Sequence, residues 1–193
     1  SPNIIAVSKT FSMTDIKPLI DHGHIHFGEN KVQEAIEKWR DQLKKNSQIK
    51  LHMIGKLQTN KVKIAVQLFD YIHSVDNLKL AKKIADEQIL QKKNVKIFLQ
   101  VNVGNEPQKS GVEIGNIESL FKECLNLNLN VVGLMCIPPF GDKVLNYFKD
   151  IKRMNDELGL KDLSIGMSND YLDALNFKAS FLRIGTKIFG ARN

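Results

Sequence analysis

Short apolar runs and amphipathic stretches take turns eight times along this chain of 193 residues, and that alternation constrains the fold more than any other feature. The first run, residues 4–10, reads as a buried strand of a parallel sheet. Thr14-Asp15 opens a short helix carrying Ile16, Leu19 and Ile20, which ends near Gly23. Residues 25–27 predict a second strand, followed by Gly28-Glu29-Asn30. The next helix buries Val32, Ala35, Ile36, Trp39 and Leu43 at three-four spacing. A third strand over 51–54 stops at Gly55, a helix covers 58–68, and 69–73 reads as the fourth strand. Asp76 is placed to cap a helix holding Leu78, Ala81, Ile84, Ala85 and Ile89. Residues 95–103 form the longest strand, with Asn102 at its end, and lead to the helix of Ile117, Leu120, Phe121 and Cys124. Strand six covers 131–135, and the helix after it lines up Val144, Tyr147, Phe148, Ile151, Met154 and Leu158. Residues 163–166 are the seventh strand, and Ser168 takes an N-cap position before a short helix with Leu172 and Leu175. The eighth strand, 181–184, ends in Gly185-Thr186. Such alternation implies right-handed crossovers and a parallel sheet. Eight units predict closure into a (β/α)8 TIM-type barrel, with 1–193 as a single domain and lean loops.

Charge narrows the function classes. The net charge of +7 comes almost wholly from lysine, because Arg40, Arg153, Arg183 and Arg192 are the only arginines. Scattered lysine solvates a surface, whereas sequence-specific nucleic-acid readers show arginine and a basic stripe with interleaved aromatics. No dedicated nucleic-acid role is expected. No apolar stretch reaches the length of a membrane span, and Cys124 and Cys136 have neither metal-ligand nor disulfide spacing. A reduced, cytoplasmic setting is the expectation. His22, His24 and His26 alternate without a supporting metal pattern, and His52 and His73 read as core or rim imidazoles.

Lys9 leaves the first strand at its carboxyl end, where barrels place their chemistry. There a lysine either snorkels into water or loses hydration and becomes an amine nucleophile toward an aldehyde. Taken alone, the segment favours the first reading. Carboxyl ends of the other strands add Asn30, Gly55, Ser74, Asn102, Met135, Ser168 and Gly185-Thr186 to the mouth. Ser168 and Thr186 offer hydroxyl donors and Gly185 a close backbone approach, which suit an anion held by the last two loops. Gly166-Met167-Ser168-Asn169-Asp170 lacks the closing glycine of a nucleophile elbow, and no P-loop or dinucleotide fingerprint occurs.

The segments AVSKT (6–10), FGENKVQEA (27–35), LHMIGKLQTNK (51–61), QKSG (108–111), GLMCIPP (133–139), LSIGMSND (163–170) and RIGTKIFGAR (183–192) together resemble the pyridoxal-phosphate homeostasis proteins of the YggS/PROSC type. That family shares the barrel of the alanine racemase N-terminal domain and binds pyridoxal 5′-phosphate (PLP). The resemblance implies that Lys9 is the Schiff-base lysine, and that Ser168, Gly185 and Thr186 form the phosphate cup with Met167 beside it. It also implies that Arg183 faces the pyridine nitrogen, that Asn30 lies near the ring, and that Lys109 offers a secondary contact at the rim. The chain departs from the family at Lys56, at Leu51 and Met53 around His52, and at Lys178-Ala179-Ser180.

A guanidinium donates and stays protonated, so a pyridine nitrogen facing Arg183 stays unprotonated and the ring is a weak electron sink. Racemisation further needs an acid/base on the opposite face, which alanine racemases take from a tyrosine of an additional domain. This chain ends at Asn193, directly after the barrel, so that domain is expected to be missing and the chain to be a monomer. The function implied is a PLP carrier for vitamin B6 homeostasis and delivery to PLP-requiring apoenzymes, with little or no turnover. The alternative is a PLP-dependent amino-acid racemase of small scope.

Overall fold

A computed structural model describes residues 1–192. Strands and helices alternate as β1 (Asn3–Val7), α1 (Met13–Asp21), β2 (His26–Glu29), α2 (Val32–Lys45), β3 (Lys50–Met53), α3 (Val62–Leu68), β4 (Tyr71–Val75) and α4 (Leu78–Gln91). They continue as β5 (Lys96–Gln100), α5 (Ile117–Asn126), β6 (Asn130–Met135), α6 (Val144–Glu157), β7 (Asp162–Ser164), α7 (Tyr171–Leu175), β8 (Phe181–Ile184) and α8 (Thr186–Phe189). Every strand pairs parallel with the next, and β8 closes on β1 from Asn3↔Phe181 to Ala6↔Ile184. The expected (β/α)8 barrel is the observed fold.

Two cores hold it. Between strands and helices lies an apolar shell in which one residue of each strand pair meets a helix stripe. Phe27 of β2 and Trp39 of α2 are an example, both fully buried with ring centroids 4.9 Å apart. Inside the barrel, Ile5, Tyr71, Phe98, Met135 and Phe181 fill the lumen together with imidazole rings. His52 stacks on Tyr71 at 4.2 Å and His73 on Phe98 at 4.4 Å. This filling leaves no space for extra atoms at Gly133 of β6. A Cβ there would stand 1.9 Å from the Asp162 carbonyl oxygen and 2.9 Å from Phe98, so only glycine lets β6 and β7 lie side by side.

Several boundaries differ from expectation for local reasons. β1 stops at Val7, not residue 10, because Phe11 N–H bonds back to the Ser8 carbonyl (3.1 Å) and Thr10 turns to φ 69°. β5 ends at Gln100, since the Asn102 side chain bonds the backbone of Glu106 in both directions, at 2.8 and 3.1 Å. The cap of α4 is Asn77, whose Oδ1 accepts from Leu80 N–H at 2.9 Å. Asp76 is drawn away to accept from Gly111 N–H at 2.9 Å, which ties the loop after β4 to the loop after β5.

Candidate functional site

Lys9 stands on the turn that follows β1, and the turn is fastened from below. Glu29, the last residue of β2, is fully buried between strand and helix. Its Oε2 accepts from Trp39 Nε1 at 3.0 Å and from Ser8 Oγ, and it pairs with Lys38 at 3.0 Å. The Lys38 ammonium also reaches the Ser8 and Phe11 carbonyls at 2.6 and 2.8 Å. Glu34 joins both ends by contacting Lys38 at 3.0 Å and accepting from Thr10 N–H at 2.6 Å. Burial pushes the Glu29 carboxyl up, against the opposing pull of Lys38, Ser8 and Trp39. Partial burial raises Glu34 too, but the Lys38 and Thr10 donors outweigh it and leave that carboxyl below its usual range.

Lys9 itself is half-buried, and its pKa is lowered below the ordinary lysine value. Lost hydration is the main cause, and the charge of Arg192 adds to it, while Glu34 pulls the other way. More of its amine is therefore uncharged at neutral pH than on a surface lysine.

One cavity of about 600 Å³ opens at the carboxyl ends of the strands. Lys9, Asn30, Met167, Ser168, Arg183, Gly185 and Thr186, the residues singled out from the sequence, all line it. Gly55 instead lines a neighbouring groove with Lys56. Met135 and Ser74 are buried beneath the mouth rather than at it, because alternation along β6 sends Met135 into the lumen and β4 shifts register between Ile72 and Val75. Asn102 is held in its own loop, and Lys109 is exposed outside the cavity lining.

Ser168 does not cap a helix. α7 begins at Tyr171 with Asp170 in the cap position, and Asp170 Oδ1 accepts from Met167 N–H at 2.7 Å. Tyr171 N–H bonds the Met167 carbonyl at 2.8 Å, so Ser168 rides on the crest of a closed turn, with its side chain on the cavity wall.

Arg183 is the buried floor, 2% exposed. Its guanidinium donates to the Ser164 carbonyl (2.9 Å), Ser164 Oγ (2.6 Å) and the Cys136 carbonyl (2.8 Å). Those bonds use three of five N–H groups, leaving Nε–H and one terminal N–H for the cavity that Arg183 lines. Burial pushes the Cys136 thiol up to about 12, which rules out a thiolate beside it at neutral pH.

Sequence reasoning assigned no role to Arg192. Its guanidinium lies over the Phe11 ring at 5.4 Å, reaches the Val7 and Lys9 carbonyls at 3.3 and 3.4 Å, and lines the cavity. A Cβ on Gly185 would stand 2.7 Å from its terminal nitrogen, so the guanidinium packs directly on the bare glycine. The available signal was its rarity, one of four arginines among 28 basic residues. Among the described residues, no three His, Cys, Asp or Glu side chains converge to hold a metal ion, and no helix is long and apolar enough to cross a membrane.

Comparison with known proteins agrees with this geometry. The profile of the alanine racemase N-terminal domain family matches residues 1–193. A protein of Aquifex aeolicus named pyridoxal phosphate homeostasis protein is 37% identical over 199 residues, covering 98% of this chain and 86% of its own length. Its namesake in Escherichia coli K12 is 34% identical with the same coverage. The structure of PipY from Synechococcus elongatus with PLP bound superposes with a TM-score of 0.91 at 34% identity, covering 98% of this chain and 92% of PipY. An alanine racemase of Clostridium difficile shares the fold, with a TM-score of 0.76 at 16% identity. The chain therefore belongs to the alanine racemase N-terminal domain family, among the pyridoxal phosphate homeostasis proteins.

Proposed function

We propose that this protein binds pyridoxal 5′-phosphate on Lys9 and holds it for vitamin B6 homeostasis and delivery, with little or no turnover. The observation that carries the reading is the meeting, in one cavity, of a lysine with a lowered pKa, a buried guanidinium with two N–H groups free, and a glycine cradle under a second guanidinium. This donor set fits the three poles of the cofactor, which are an aldehyde, a ring nitrogen that accepts, and a dianionic phosphate. When bound, the cofactor supplies an aldehyde that condenses reversibly with an amine and a ring that can take up electrons.

The chain's own residues divide the work. Lys9 provides an amine partly stripped of water, which holds its proton less tightly than a surface lysine. The Lys38–Glu29–Glu34 clamp keeps the turn that carries it in place. Ser168, Gly185 and Thr186 surround the anion, and Arg192 adds positive charge there. Arg183 donates toward the ring nitrogen and offers it no proton to gain, which weakens the ring as an electron sink and favours storage over turnover. The family's naming as homeostasis proteins, not enzymes, supports the same reading.

Borohydride reduction of the PLP-loaded protein, followed by intact mass and peptide mapping, tests it. One cofactor fixed on Lys9 is the expected result, together with a blue-violet absorption band that Lys9→Ala abolishes. A label on another lysine, or no band, would overturn the proposal.

A further inference from the structure

A line of buried imidazoles runs through the lumen, and holding a cofactor on Lys9 makes no direct use of it. His26 Nδ1 lies 2.9 Å from His52 Nε2, and His52 Nδ1 lies 2.9 Å from His73 Nε2. His73 Nδ1 in turn lies 2.9 Å from Ser164 Oγ, which accepts from Arg183 at 2.6 Å. The line thus starts under the cavity and ends at His26, the first residue of β2, at the opposite end of the barrel.

Its direction follows from donor and acceptor counting. A guanidinium cannot accept, so Ser164 Oγ is the acceptor in its bond with Arg183. The hydroxyl hydrogen of Ser164 then has His73 Nδ1 as its only acceptor among the described residues. That leaves Nδ1 bare and puts the His73 hydrogen on Nε2, where it donates to His52 Nδ1. The same step passes the pattern to His52 Nε2 and His26 Nδ1. The reverse direction would bury the Ser164 hydroxyl hydrogen without a partner. The rings are also kept neutral by their surroundings. Burial is the main cause for all three, and Arg183 faces His73, while His26, His73 and Lys96 surround His52. Around His26 stand His24, Lys50 and Lys96, with Asp70 the one opposing charge.

Arg183 is buried and charged, yet no carboxylate of the described residues pairs with it at contact distance; the Asp170 charge acts on it only from across the cavity wall. Buried charges ordinarily require a counter-ion. We infer that the His26–His52–His73 column takes that place as a positioning device. It is a row of neutral imidazoles, each with its hydrogen on Nε2, whose aligned dipoles turn their negative ends toward the guanidinium and fix its free N–H groups toward the cavity. The consequence for the cofactor rests on the proposed function. Arg183 is steadied without bringing in a carboxylate that would favour a protonated ring nitrogen.

The test begins on cofactor-free, ¹⁵N-labelled protein, with long-range ¹H–¹⁵N correlation of the imidazoles between pH 8 and 5.5. His52 and His73 should each show a protonated Nε2 and a bare Nδ1 throughout. A hydrogen on Nδ1, or an imidazolium at either residue, would overturn the inference. Ser164→Ala removes the directing hydroxyl and should give mixed tautomers at His73; an unchanged single tautomer there would refute Arg183 as the source of the polarity. In PLP-loaded protein, His73→Phe should weaken retention about tenfold and shift the absorption band, with borohydride still labelling Lys9. Wild-type retention and spectrum in that variant would refute the positioning role. Failure of wild-type protein to take the label on Lys9 would instead refute the cofactor reading, and the tautomer result would be unaffected.

Discussion

Lowering the pH from 7 to 5 should destabilise this barrel through its buried histidines. His52 and His73 are completely buried, and burial holds both well below the ordinary 6.5. His26 is pushed down to about 4, again chiefly by burial. In the unfolded chain each recovers a pKa near ~6.5, so between that value and the folded one the unfolded state binds more protons. The sign follows directly: this part of the stability is complete above pH ~6.5 and is lost as the pH falls toward the folded pKa values. At pH ~5.5 each unfolded imidazole is about 0.9 protonated, giving an uptake of about 2.7 protons for the three. Glu29, raised by burial, works in the opposite sense and subtracts at most one proton. The net expectation is an uptake of about 2 to 3 protons and a loss of about 4 to 6 kcal/mol between pH 7 and 5. Against a total of about 5–15 kcal/mol for a domain, that loss decides whether the barrel persists. Urea midpoints at the two pH values give the stability change, and calorimetry in two buffers of different ionisation enthalpy counts the protons. A flat stability, or an uptake near zero at pH 5.5, would mean that the column is solvated or charged and would refute the reasoning.

Gly133→Ala should prevent folding, because the added methyl falls on the Asp162 carbonyl; a soluble variant with native circular dichroism would show that β6 and β7 can part. Ser168→Ala combined with Thr186→Ala should weaken PLP about a hundredfold and leave pyridoxal, which has no phosphate, nearly unchanged by fluorescence titration. Equal losses for both ligands would misplace the cup. Arg183→Glu puts a carboxylate where the guanidinium stands and should permit ring protonation, so an unchanged cofactor spectrum would count against that contact. Holoprotein incubated with L- and D-alanine in deuterium oxide should show no α-proton exchange above the free-cofactor rate, and enzyme-like exchange would revive the racemase alternative.

The barrel was legible because its two periodicities are physically distinct. Val32, Ala35 and Trp39 recur at helical spacing, whereas the strand runs are apolar on both faces, as parallel sheets require. Lys9 and the Gly185-Thr186 loop were legible for a related reason, since barrel topology sends every strand's carboxyl end to one mouth. What escaped depends on distant partners. Asp76 and Asn77 are both good caps, and only the Gly111 N–H, far along the chain, takes Asp76 away. The Ser168 case is local: three cap side chains stand in a row, and α7 starts only at Tyr171, after the Asp170 side chain closes the turn back onto Met167 N–H. His52 and His73 read as core or rim imidazoles, and His26 as one of three alternating histidines without a metal pattern. Their contact arises from strand register, which places Gly28 opposite His52 and His52 opposite Tyr71.

The solid lumen has a consequence for traffic. With Phe98, Phe181, Tyr71 and the imidazoles stacked across the barrel, the described residues fill the lumen below the cavity, and a guest bound under the mouth would leave by the opening it entered. Loading and unloading must then compete for the same threshold. A protein that collects the guest would have to dock over the rim where Phe140 stands exposed, or wait for it to depart into solvent.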